Sequence, residues 1–110
     1  MTDALAAFAT VELRVGRVTR AEPNPTARKP AYCLWIDFGE LGERTSSAQL
    51  TAVYEARELA GRLVIAAMNL GSRRIAGFES QVLVLGLPDQ DGNVVLLQPE
   101  RDVPVGGRVY

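Results

Sequence analysis

Val11-Glu12-Leu13-Arg14-Val15-Gly16-Arg17-Val18-Thr19-Arg20-Ala21 alternates apolar and polar side chains with a period of two and changes phase at Gly16. Such a pattern reads as a β-strand with one face turned to a core. Val11, Leu13 and Val15 are expected inward, Glu12 and Arg14 outward, and Val18 continues in the opposite phase. A strand that switches faces at a glycine is expected to bend there through a bulge, as the long first strand of a small barrel must.

Working outward, residues 3–8 read as a short helix with Thr2 or Asp3 as N-cap and Leu5 and Phe8 on one face. So short a helix does not hold alone, so its apolar face is expected to dock on the barrel or on a second copy. Downstream, Glu22-Pro23-Asn24-Pro25 is a turn, and residues 31–38 form a second strand that Gly39 closes. Leu41-Gly42 turns the chain into a third strand through residues 44–50. Residues 52–59 read as a short helix stopped by Gly61, residues 63–68 as a fourth strand, and residues 82–87 as a fifth, ended by Pro88. Asp91-Gly92 is a tight turn into residues 94–98. Short strands with one helix between the third and fourth predict an all-β fold with small helical additions: a five-stranded Greek-key barrel of the OB type, with short N-terminal and strand 3–4 helices. At 110 residues the chain is read as one domain, residues 1–110.

Two features reach beyond an isolated barrel. Residues 82–85 and 94–97 are apolar on both faces, although the outer face of a small barrel should be wet, so a homodimer is expected to cover them. On the second strand, Tyr32, Leu34, Ile36 and Phe38 make the larger apolar set and are assigned to the core. Trp35 then lies on the other face, either as an exposed stacking platform or half-buried against a partner chain. The third strand is rich in small hydroxyl residues and reads equally as a plain edge or as a surface that a ligand or another backbone approaches.

Composition removes whole classes of chemistry. The chain has no histidine and one cysteine, which excludes an internal disulfide, the usual proton shuttle and a zinc site built from soft ligands. Cys33, in an apolar strand, reads as a buried small hydrophobe. Ser46, Ser47 and Ser80 lack a base to activate them, and the carboxylates Asp37, Glu40 and Glu43 sit around a hairpin tip where charges are ordinarily solvated. A binding protein is expected, not an enzyme, with no cofactor and no metal. No signal peptide or membrane span is read, so the protein is expected to be cytoplasmic and not inserted in a membrane. The net charge of −1 does not advertise nucleic acid, so an electrostatic partner must be met by a local patch.

Residues 69–86, Asn-Leu-Gly-Ser-Arg-Arg-Ile-Ala-Gly-Phe-Glu-Ser-Gln-Val-Leu-Val-Leu-Gly, supply such a patch. They place Asn69, Arg73, Arg74 and Ser80 with Phe78 in a loop between two strands, and Gly71 and Gly77 permit tight bends. Taken with Ser46-Ser47-Ala48-Gln49, Arg14-Val15-Gly16, Ile36-Asp37-Phe38-Gly39 and Val94-Val95-Leu96-Leu97-Gln98-Pro99, this stretch resembles the bacterial CsaA family. These proteins are stand-alone relatives of the tRNA-binding domain appended to some aminoacyl-tRNA synthetases. The resemblance implies an OB-fold homodimer that acts as an export-related chaperone for unfolded preprotein segments, with a groove also able to bind tRNA. The alternative is a protein that primarily binds tRNA. Asn69, Arg73, Arg74, Gly77 and Ser80 match the wider family's Asn-Leu-x-x-Arg-Lys-x-x-Gly-x-x-Ser pattern. Val82-Leu83 replaces the Gly-Met pair usual in tRNA-binding relatives, and Ser46-Ser47-Ala48-Gln49 replaces a loop richer in glycine. As an RNA binder, Arg14, Arg73 and Arg74 are expected on phosphates, Asn69 and Ser80 on sugar or base, and Phe78 or Trp35 in a stack. As a chaperone, an apolar cleft near Phe78 and the dimer seam grips the client, with backbone pairing at the edge of Ser46, Ser47 and Gln49 adding strand-like hydrogen bonds.

Overall fold

The computed structural model describes residues 3–110. Helix α1 spans Ala4–Thr10 and is capped by Asp3, whose carboxylate accepts the Leu5 N–H at 3.0 Å; the alternative cap, Thr2, lies outside the described residues. Strands β1 (Leu13–Pro23), β2 (Tyr32–Asp37) and β3 (Glu43–Ala48) follow, the last two joined through a single 3-10 turn at Gly39–Leu41. Helix α2 is only Ala56–Leu59, shorter than its helix-forming residues predict, with Glu55 and Glu58 closing a reciprocal capping box. β4 is Leu63–Ala67. A small hairpin, β5 (Arg73–Ile75) and β6 (Phe78–Ser80), precedes β7 (Leu83–Val84), and a second hairpin, β8 (Gly86–Pro88) and β9 (Val94–Leu96), follows.

The main sheet is antiparallel with the order β3-β2-β1-β4-β7. Its edges approach each other where Gln81 and Val82 both donate backbone N–H groups to the Thr45 carbonyl, at 2.8 and 3.2 Å. Five strands thus close almost completely into an OB-fold barrel, which leaves little open sheet edge. Leu34, Ile36, Phe38, Val64 and Ala66 fill the interior, and Leu59 of α2 plugs it from one end. Tyr32, Leu34, Ile36 and Phe38 do form the core face of β2.

The phase of β1 differs from the expected one. Gly16 and Val18 face the core, whereas Leu13 and Val15 lie on the opposite face beneath the C-terminal segment. Alternation tells which residues share a face but not which face is inside, and both sides of this strand are covered. The bulge sits at Thr19, between the pairs Val18–Ile36 and Arg20–Trp35. Gly16 serves a different need: a Cβ there would come within 2.6 Å of Ile36 Cγ2 and the Phe38 ring. The C-terminal segment adds along the lower half of β1, with Gly106 N to Val15 O at 2.7 Å and Val109 N to Leu13 O at 2.9 Å.

Candidate nucleic-acid interface

The stretch read as a loop over residues 69–81 is a β-hairpin. Arg73, Arg74 and Ile75 pair with Ser80, Glu79 and Phe78, and the turn is Ala76-Gly77, with φ of 48° and 80°. Positive φ at both central residues is the primed turn that matches the twist of adjoining strands. The hairpin lies against β3 through three side chains. The Ser80 hydroxyl accepts the Ser47 N–H at 2.9 Å, Thr45 donates its hydroxyl to the Glu79 carbonyl at 2.7 Å, and the Gln81 amide oxygen accepts the Thr45 N–H at 3.0 Å.

Pairing puts Arg73, Ile75, Phe78 and Ser80 on the hairpin face turned to the barrel and Arg74 and Glu79 on the solvent face. On β3 the same rule separates Ser46, buried in the interior, from Ser47, which faces outward, and Gln49, just past the strand, lines the same outer side. Two clefts meet along this surface. One, of about 560 Å³, runs between the β1–β2 connection and the hairpin tip and is lined by Arg28, Lys29, Ala31, Ser47, Gln49 and Ile75. The other, of about 230 Å³, is lined by Ser47, Leu70, Arg73, Ile75, Ser80 and Leu83. They share Ser47 and Ile75 and make one groove.

The structure brings Ser47, Gln49, Arg73 and Ser80 to this groove and leaves Arg14, Ser46 and Asn69 outside it. Arg14 lies at the far end of β1, bonded to Glu12 and to the Gly106 carbonyl at 3.0 Å. Asn69 accepts the Glu12 N–H at 2.8 Å and donates to the Thr10 carbonyl at 2.7 Å, fastening the end of α1 to β4. Phe78 and Trp35 pack in a T-shaped arrangement, with centroids 5.4 Å apart at 73°, and the Arg20 guanidinium covers the Trp35 ring at 4.4 Å. Trp35 is therefore on the outer face of β2. Cys33, beside it on the strand, is buried; burial, with the Glu22 charge, pushes its thiol above the ordinary range and keeps it protonated.

Charge decides what this groove favours. Of the twelve lysine and arginine residues, Arg14, Arg17, Arg20, Arg57 and Arg101 are ion-paired, and Arg44, Arg62 and Arg108 donate to Leu41 O, Gln98 and Ala9 O. Among the described residues, only Arg28, Lys29, Arg73 and Arg74 have no such partner. All four stand on the two elements that flank the groove. Arg28 and Lys29 belong to a first third of the chain rich in basic residues, and the fold sets them across the wider cleft from the hairpin tip.

A second surface is apolar. Leu13, Val15, Ile65, Leu85, Leu97 and Val103 line a groove of about 600 Å³ on the outside of the barrel. Nearby, Leu5 and Phe8 of α1 remain exposed, as does the terminal Tyr110. Among the described residues no helix is long and apolar enough to cross a membrane.

Residues 13–108 match the family described as "Putative tRNA binding domain". The chain belongs to the tRNA-binding domain family. It is similar over its full length to the crystal structure of chaperone CsaA from Bacillus anthracis str. Ames, at 45% identity, TM-score 0.92 and complete coverage of both chains. The CsaA chaperone protein of Picrophilus torridus is 38% identical with TM-score 0.90, covering 99% of this chain and 100% of that one. Among curated relatives, methionine–tRNA ligase of Methanococcus maripaludis strain C5 is 37% identical over 103 residues. That match takes in 94% of this chain and 15% of the ligase. The resemblance to CsaA and the OB fold of the tRNA-binding domain family both stand.

Proposed function

We propose that the protein binds tRNA in the groove between the β1–β2 connection and the β5–β6 hairpin, without catalysis. The observation that carries this reading is the placement of Arg28, Lys29, Arg73 and Arg74 around one groove, each without a protein partner among the described residues. A cation spent on a carboxylate is neutralised within the fold, whereas one left open on a near-neutral protein is available to a phosphate. The side chains at the groove are Ser47, Gln49, Arg73 and Ser80, with Arg74 on its outer lip and Phe78 backing it from Trp35.

A second reading, a chaperone of CsaA type for unfolded preprotein segments in export, is favoured by the apolar wall of the same groove. Leu70, Leu83 and Ile75 are exposed there at 57%, 51% and 38%. An extended client could lie along the outward side of β3 and cover them. In either reading two copies pair through the apolar outer groove, and the site of action is the cytoplasm.

Titration with total tRNA at two salt concentrations, with an unfolded apolar peptide as competitor, tests the choice. Micromolar or tighter tRNA binding that falls steeply with salt is expected. Saturable peptide binding with no tRNA binding at low salt would leave the chaperone reading alone.

A further inference from the structure

We propose that the wider cleft of the groove is a pocket for one unpaired nucleotide, so that the RNA recognised presents single-stranded or bulged residues rather than a uniform duplex. This rests on the tRNA-binding reading and names the chemistry of its ligand.

The cleft of about 560 Å³ has two kinds of wall. Its floor is apolar, made by Ala31 and the Ile75 side chain, and suits the face of a base. Its rim carries Arg28 and Lys29, which suit the phosphate attached to that base. Gln49, just past the end of β3, lines the cleft and brings a side-chain amide that both donates and accepts, as a base edge requires. A duplex keeps base faces stacked and inaccessible, and would leave the apolar floor without an occupant. A neutral peptide would cover the floor but leave the cations unneutralised.

The cleft is also held open before any ligand arrives. The Thr26 hydroxyl donates to the Ala76 carbonyl at 2.9 Å, tying the β1–β2 connection to the hairpin tip. Ala76 is the one non-glycine residue with positive φ among the described residues, at 48°. A strained residue whose carbonyl is clasped by the opposite loop fixes the width of the gap between them.

The test compares a hairpin RNA carrying an unpaired loop with a blunt duplex of equal length, at two salt concentrations. The proteins are the full chain, Ile75→Ser, the double variant Arg28→Ala/Lys29→Ala, and Arg73→Ala. These positions are exposed, so folding is expected to survive, and circular dichroism checks it. The unaltered protein should prefer the looped RNA by about tenfold or more, and Ile75→Ser should erase most of that preference with the salt slope unchanged. Arg28→Ala/Lys29→Ala should lower the slope by about 1.4, from roughly 0.7 per single-strand phosphate contact. Equal binding of both RNAs, with Ile75→Ser silent and Arg73→Ala still weakening binding, would overturn the pocket and leave the tRNA-binding groove standing. No binding of either RNA would overturn both.

Discussion

Asn69 shows how a residue of a family pattern can be consumed by the fold. Its amide is bonded on both sides, to Glu12 N and Thr10 O, so it holds the junction of α1 and β1 to the end of β4. Asn69→Ala is expected to cost about 1 kcal/mol of stability in chemical denaturation, the usual net worth of such bonds at a partly wet site. RNA affinity measured on the folded variant should stay within about twofold of the parent; a large loss would return Asn69 to the ligand site. Gly16 makes a harder demand. Adding a methyl there drives it against Ile36 and Phe38, both fully buried, so relief must come from the centre of the core. Gly16→Ala is expected to lose about 1–3 kcal/mol, read from the denaturation midpoint, and a neutral result would show that the core yields more easily than its packing indicates.

At the scale of elements, the β5–β6 hairpin makes two adjacent arginines inequivalent. Arg73 shares the inner face with Ser80 and lines the groove, whereas Arg74 stands opposite Glu79 on the outside. Arg73→Ala is therefore expected to weaken tRNA binding several-fold more than Arg74→Ala, and to lower the salt slope by about 0.7–0.9 where Arg74→Ala changes it less. Equal losses in parallel titrations would mean that the hairpin presents both side chains to the ligand. The sequence disclosed the barrel strands because period-two alternation survives wherever one side is wet, and it disclosed the core face of β2. It hid this hairpin because strands of three residues, one bearing two charges and the other one, carry no period. Ala76-Gly77 also lacks the Asn-Gly or Asp-Gly signature of such turns. The bulge was misplaced for a physical reason too: a bent strand and a close side-chain approach both call for a missing Cβ, and one glycine looks the same in either case. Ser47 and Gln49 were legible as site candidates, while Ser46 beside them was not separable until the phase of β3 was fixed.

At the scale of the molecule, the two surfaces differ in charge: cations stand beside an apolar wall around one groove, and the other is lined mainly by aliphatic side chains. The apolar groove explains why residues 82–85 and 94–97 are hydrophobic on both sides: Val82 and Leu96 are buried in the barrel, while Leu85 and Leu97 line its exterior. Leu85→Asp is expected to yield a folded monomer in sedimentation equilibrium, because a charge on that face opposes pairing without entering the core. Leu96→Asp should instead unfold the chain. A Leu85→Asp protein that still sediments as a dimer would move the contact elsewhere. The last segment of the chain returns to the start of β1, where Arg108 donates to the Ala9 carbonyl at 2.9 Å, so the C-terminal residues lie beside the end of α1. Arg28 and Lys29, with the wider cleft they line, lie beyond the other end of that eleven-residue strand, on the β1–β2 connection. A polypeptide tethered near the start of β1 or at the last residues would leave the wider cleft uncovered, which makes the fold a module that can be grafted onto a larger enzyme, or cut and rejoined as a circular permutant.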